Sequence, residues 1–301
     1  MLGLKTFKNR AFLSQTLAAF RKANSRRDQE TLNPLLGRIG SLEVRLATTR
    51  AELRAAQRLR YQVFFDEMSA RGKAITLAPR RDVDPFDAYC DHLIVIDNEA
   101  HQNGIGGVKA KIIGTYRLLR QEVAQQNDGF YSANEYDLIN FLDHHKNMRF
   151  LELGRSCVMK EYRTKRTVEL LWHGIWAYVL HHKIDVMFGC ASLEGTDITA
   201  VQEQLSFLSQ LHDTPKEWQV RAHENHYVPM KTHSARFSKK QALSSLPPLI
   251  KGYLRLGAYI GEGAVVDHDF GTTDVLIILP VENINPRYIS HYGESAGRYA
   301  A

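Results

Sequence analysis

Two hydrophobic rhythms alternate along the chain from Leu42 onward, one of period two and one close to 3.6. SLEVRLA (41–47) has the first and predicts a short strand. Thr49 and Glu52 then form a capping box, and Leu53, Ala56, Leu59 and Val63 carry the helix that it opens. Leu93–Ile96 predicts a buried strand and VKAKIIGTYRLL (108–119) a long one. The glycine-rich turn Asn103–Gly107 lies between them, as in a hairpin. RFLELGRSCVM (149–159) is the next strand, and Val168, Leu171, Trp172, Ile175, Trp176 and Val179 place a helix after Thr164. DVMFGCASL (185–193) gives another strand, followed by a helix through Val201, Leu205 and Leu208 that Thr196 or Asp197 caps. Residues 213–245 are polar and irregular. Beyond Pro247-Pro248 a helix is predicted over 249–261, and AVVDHDFGTTDVLIILPV (264–281) ends in a buried strand. The expected class is α/β (α+β).

One strand breaks its own pattern. Phe150, Leu151, Leu153, Val158 and Met159 ask for burial, yet Glu152 and Arg155 sit among them. Residues three apart point to opposite faces of a regular strand. Gly154 between them suggests a bulge that would bring both side chains to one side. The pair either ties two strands together or carries chemistry; the second reading is favoured, because neither charge is needed for packing.

Composition narrows the partners. With 44% hydrophobic and 24% charged residues the chain folds, and no apolar run nears the ~18 residues of a membrane span. A formal charge of +6 favours acidic partners. Basic residues are dispersed and no nucleic-acid-binding motif occurs, so nucleic acid ranks last. Cys90, Cys157 and Cys190 lie in or beside apolar runs without metal or disulfide spacing, as buried thiols of a reducing compartment do. The start lacks a secretory pattern, so a cytoplasmic address is expected. Residues 1–42 read as an appendage to a domain at 43–301 (core 43–212, extension 213–301). Leu4, Phe7, Phe12, Leu13, Leu17 and Phe20 among basic residues describe either a helix lying on an anionic membrane or a mobile tail.

Four further groups carry candidate chemistry. Asp82, Asp84, Asp87 and Asp91 crowd one loop, which either holds a cation or is simply solvated; no metal-ligand pattern is present. Arg117 interrupts a strand and suggests an anionic partner. Lys165 and Arg166 occupy a helix's first turn, where the dipole favours negative charge, so they form a phosphate cradle or two solvated side chains. Asp267, His268, Asp269 and Asp274 either meet substrate or make a turn.

LRYQVF (59–64), DVDPFD (82–87), GTYRLL (114–119) and ELGRSCV (152–158) resemble the acyl-homoserine-lactone synthases, a branch of the GCN5-related N-acetyltransferases (GNAT). Together with LLWHGIWAYV, MFGCASLEGTD, YVPM and the run from LPPLIKG to ILPV, they resemble the bacterial ornithine Nα-acyltransferases over almost all of the chain from Leu42. The resemblance implies a GNAT-like mixed central sheet flanked by helices, with a C-terminal extension. It further implies transfer of a 3-hydroxyacyl group from acyl carrier protein to the α-amino group of L-ornithine, giving lyso-ornithine lipid, with functional roles for Arg60, Phe64, Asp84, Asp87, Arg117, Glu152 and Arg155. Glu152 is the expected base. Arg155 and Arg117 are expected to take the ornithine carboxylate and Asp84 or Asp87 its second ammonium. Cys157 and Val158 would supply oxyanion donors, and Arg163, Thr164, Lys165 and Arg166 the phosphate site of the 4′-phosphopantetheine arm. No resident cofactor or metal is expected, and contact is peripheral with the inner face of the membrane. Two departures stand out: Glu67-Met68-Ser69 replaces the tryptophan that the synthases carry after Phe64, and the loop Tyr162–Thr167 lacks the glycines of acetyl-CoA binders, which favours the carrier protein as donor. An acyl-homoserine-lactone product and a non-catalytic hemolysin-like module are the rival readings.

Overall fold

The computed structural model describes residues 35–68, 80–100, 110–210, 214–231 and 238–285. The amphipathic stretch over 1–34 and the turn Asn103–Gly107 lie outside the described residues.

Eight strands form one sheet: β1 (Leu35–Ile39), β2 (Leu42–Leu46), β3 (Asp91–Asp97), β4 (Lys111–Arg120), β5 (Phe150–Val158), β6 (Val186–Glu194), β7 (Tyr259–Asp267) and β8 (Thr272–Pro280). Their order is β1-β2-β3-β4-β5-β6-β8-β7, antiparallel except between β5 and β6. The helices are α1 (Arg50–Tyr61), α2 (Gln121–Gln125), α3 (Ile139–His144), α4 (Lys165–His182), α5 (Ile198–Gln210), α6 (Lys239–Ser245) and α7 (Pro248–Leu256). The Thr49/Glu52 capping box closes as expected. A π-helical turn, Gln62–Glu67, prolongs α1 and carries Phe64.

Three boundaries differ from expectation. The sheet starts at Leu35 rather than Leu42, because LLGRI is too short to show a rhythm and becomes a strand only by pairing with β2 across Gly40, whose φ is +61°. The helix expected through Gly261 stops at Leu256, where Gly257 takes φ +93° and caps it; the residues beyond enter β7. The core expected to end at 212 shares its sheet with the C-terminal extension, since β8 pairs with β6 along its whole length, from Val186↔Pro280 to Glu194↔Thr272.

The middle of the sheet positions the site. β5 and β6 are in register only at Phe150↔Val186, Leu151↔Met187 and Glu152↔Phe188, and then part. At the parting point a Cβ on Gly189 would overlap the Leu153 carbonyl oxygen, so only glycine lets the two backbones touch there. α4 lies across β1, β2 and β3, and its Gly174 admits Val44 and Leu93 where a methyl group would collide with both. An aromatic cluster including Phe130, Phe141, Phe150, Phe188 and Trp218 fills a second core.

Candidate active site

The gap between the parted strands opens into a cavity of about 530 Å³. Its apolar arm runs between β5, α4 (Val168, Leu171, Trp172, Ile175) and α7 (Leu249, Gly252). Its polar end is lined by Tyr131, Ser132, Glu152, Arg155, Cys190, Ser192, Asp267, Thr272 and Asp274.

Glu152 stands at the junction. Its carboxylate accepts hydrogen bonds from Tyr131 N (2.8 Å), Ser132 N (2.7 Å) and Ser132 Oγ (2.5 Å), all from the short turn that follows Phe130. Burial at 4% exposure pushes its pKa up, and the Ser132 and Tyr131 donors offset only part of that. A carboxylate held this way is fixed in direction yet ready to take a proton.

Arg155 reaches the same cavity through a bulge, although Gly154 is not its seat. Gly154 stays opposite Arg117, and the extra residue falls between it and Cys157, which faces Thr115. Arg155 itself takes the left-handed conformation (φ +50°). What over-determines it is a ring on each side and two acids: its guanidinium carbon lies 4.9 Å from the Tyr131 ring centre and 4.5 Å from that of Phe270, and it pairs with Asp82 (3.3 Å) and Asp84 (3.1 Å). Glu152 and Arg155 therefore share a cavity without pairing with each other.

The acidic loop is neither solvated nor open to a cation. Asp82, Asp84 and Asp87 interlock with Arg60, Arg117 and Arg155. Arg60, with no exposed surface, grips Asp87 through two nitrogens (2.8 and 2.6 Å) and Asp82 at 2.8 Å. Arg117 holds Asp84 at 2.5 Å. Burial alone would raise the Asp87 pKa, but Arg60 and Arg117 outweigh it and hold the group at about 2. Asp84 and Asp87 are thus committed to arginines. Asp84, Asp87 and Arg60 do not line the cavity, whereas Phe64 and Arg117 do. Sequence spacing had no means of showing that acids and arginines scattered over 60–155 neutralise one another.

On the donor side, Met159 N donates to Ile113 O. Antiparallel pairs alternate, so Cys157, opposite Thr115, turns its N–H to β4, while Val158, opposite Gly114, turns its own toward the gap. Of the two expected donors, Val158 is the one free to face a ligand. Arg163 lines the cavity, donating to Val158 O (3.0 Å) and Glu67 (2.6 Å). The expected cradle is not assembled there. Thr164 caps α4 by accepting from Thr167 N, exposed Lys165 pairs with Glu169, and Arg166 lies against Gly40.

Residues that sequence reasoning passed over complete the polar end. Ser132 links Glu152 to Cys190, whose Sγ lies 3.5 Å from Ser132 Oγ and 3.2 Å from Glu135 Oε2. Burial keeps the Cys190 thiol protonated, and it pushes Cys157 up to about 12, so neither is an activated nucleophile. Burial, reinforced by Asp274 and Asp267, lifts Glu135 from an ordinary 4.5 to about 7, and burial lifts Asp274 from 3.8 to about 6. Both groups bind their protons more tightly in the folded chain. Their stabilisation is thus complete below about pH 4 and is lost as pH rises through 6 to 7. Stability of the ligand-free protein should fall between pH 5 and 8 by ~4 kcal/mol, about two units from Glu135 and one from Asp274 at ~1.4 kcal/mol per unit. Urea midpoints at the two pH values measure it; a higher midpoint at pH 8 would contradict the assignment.

The acetyltransferase (GNAT) domain family matches residues 59–173. An L-ornithine N(alpha)-acyltransferase of Brucella abortus (strain 2308) is 54% identical over 270 residues, covering 88% of this chain and 93% of the relative. The enzyme of the same name from Rhizobium meliloti (strain 1021) is 50% identical, covering 89% of each. Among solved structures, an N-acyl amino acid synthase from uncultured soil microbes aligns with a TM-score of 0.44 at 11% identity, over 80% of this chain and 91% of its own.

Proposed function

The chain belongs to the L-ornithine N(alpha)-acyltransferase family, a group of N-acyltransferases, and from this premise we propose that it moves a 3-hydroxyacyl group from acyl carrier protein to the α-amino group of L-ornithine, yielding lyso-ornithine lipid. The observation that carries the reading is the position of Glu152, buried and aimed into a cavity that has a polar end and a long apolar arm. The thioester's acyl chain occupies the arm between α4 and α7. The pantetheine thread follows the open edge of β5, where the Val158 N–H faces the carbonyl oxygen as negative charge develops on it. Glu152, directly or through a water, takes the proton from the α-ammonium, and the neutral amine attacks the carbonyl carbon. The tetrahedral intermediate collapses with loss of the pantetheine thiolate, which takes up the second proton of the attacking nitrogen as the neutral amide forms. Direct attack is preferred to an acyl-enzyme, since burial keeps both thiols near the site protonated. Arg155, which lines the polar end, takes the ornithine carboxylate alongside the contacts to Asp82 and Asp84 that hold it in place.

Among the described residues no helix is long and apolar enough to cross a membrane. A peripheral association through the basic N-terminal segment belongs to the same proposal. The deciding assay incubates purified protein with 3-hydroxyacyl carrier protein and a panel of amino acids, followed by mass spectrometry. An N-acylornithine product supports the proposal; a lactone product, or none, rejects it.

The arm also offers a gauge of chain length. Gly252 on α7 lines it, and a Cβ there meets nothing within 4 Å. Gly252→Leu should shift preference to shorter chains. At ~0.8 kcal/mol per methylene excluded from the arm, that is about fourfold in kcat/KM each. Identical chain-length profiles for the two proteins would mean that the acyl group lies elsewhere.

A further inference from the structure

Ornithine keeps a second positive charge after its α-amine is spent. The acids expected to receive it, Asp84 and Asp87, are occupied by Arg117, Arg155 and Arg60. A different acidic corner faces the cavity. Asp274, the β8 partner of Ser192, is 7% exposed; the Ser192 and Thr272 hydroxyls lie near enough to favour its charged form, but neither closes a hydrogen bond of good geometry on its Oδ1 among the described residues. Asp267, at the end of β7, turns Oδ1 to the backbone N–H groups of Asp269 and Phe270. Glu135 accepts from the Cys190 thiol through its Oε2. Asp274 and Asp267 are close enough for their charges to raise the Glu135 pKa. Arg155, whose charge acts on Asp274, is paired with Asp82 and Asp84.

A buried carboxylate oxygen without a well-placed donor is costly, and this one faces a cavity large enough for a substrate. Among the described residues no group of His, Cys, Asp and Glu has the arrangement to hold a metal ion. A donor with several N–H bonds and a positive charge would satisfy it, and an alkylammonium has three. Resting on the ornithine reading above, we propose that Asp274 and Asp267, backed by Glu135 through its contact with Cys190, form the subsite for the δ-ammonium of the acceptor and set its selectivity for a cationic side chain. The route from base to subsite fits a short diamine: the cavity lining runs from Glu152 past Ser132 and Cys190 to Ser192 and its β8 partner Asp274, so a substrate whose α-nitrogen meets Glu152 extends its side chain along that row.

The test compares ornithine with norvaline, which has the same carbon chain and no second amine, as acceptors for the wild-type enzyme, Asp274→Asn and Glu135→Gln. Wild type should prefer ornithine. In Asp274→Asn the ratio of kcat/KM values for the two acceptors should fall at least tenfold through a raised KM for ornithine, and in Glu135→Gln by a smaller factor. Norvaline serves as the internal measure of folding and of the chemical step. An unchanged ratio in Asp274→Asn, or equal loss of both acceptors, overturns the subsite. Wild-type enzyme that acylates norvaline as well as ornithine overturns it too, while leaving the acyltransferase reading intact. Wild-type enzyme that acylates neither overturns both.

Discussion

Glu152→Gln is expected to lower kcat by about 10²- to 10⁴-fold, the range that a positioned general base supplies. The substitution is less innocent than its shape suggests. Glu152 accepts from two backbone N–H groups and one hydroxyl, and a glutamine can turn only one oxygen toward them. Its amide nitrogen must then face a donor, which costs ~1–3 kcal/mol of stability. Turnover and denaturation midpoint should therefore be measured on the same preparation. Loss of activity much larger than any unfolded fraction assigns the proton to Glu152, and near-normal turnover removes it from the mechanism.

The largest effect on stability should come from Arg60→Met, a loss of ~3–5 kcal/mol, as is usual when one member of a buried charged group is deleted. Arg60 is sealed from solvent and serves both Asp82 and Asp87, with a further bond to the Asp82 carbonyl at 2.6 Å. Without it, two acids remain in the interior with fewer partners. Arg60→Lys should recover little, because an ammonium cannot match the fork geometry that Asp87 accepts. Adding Asp87→Leu to Arg60→Met should restore part of the loss, since it removes a stranded charge, although Arg117 and Gln57 then lose a partner. A loss below ~1 kcal/mol in Arg60→Met would mean that water reaches the acids and that the cluster contributes little.

Much of this was legible in the residues. Alternating or continuously apolar runs located β2 to β6 and β8, and the capping box at Thr49 located α1. The Glu152 and Arg155 charges stood out because burial of a charge is exceptional, and both line one cavity with a bulge in the strand that carries them. The pairing of charges was not legible. The helix around Arg60 gives no sign that this side chain lies completely buried, since the partners that permit it come from a loop more than twenty residues away. In the sequence, Asp267 and Asp274 are compatible with meeting substrate or making a turn, and only the placement of β8 beside β6 brings them over the same gap as Glu152. Lys165 and Arg166 drew attention by local chemistry, yet the Thr164 cap and the Glu169 ion pair satisfy that end of α4.

The contact at Gly189 bears on how the enzyme meets its substrates. Main chain rests on main chain where the strands separate, with no rotatable group between them, so the angle of the wedge is written into covalent geometry. Such an opening does not wait for an occupant to pry it apart. Free energy of association need not be diverted to rupturing ladder bonds, and all of it remains for aligning amine and carbonyl.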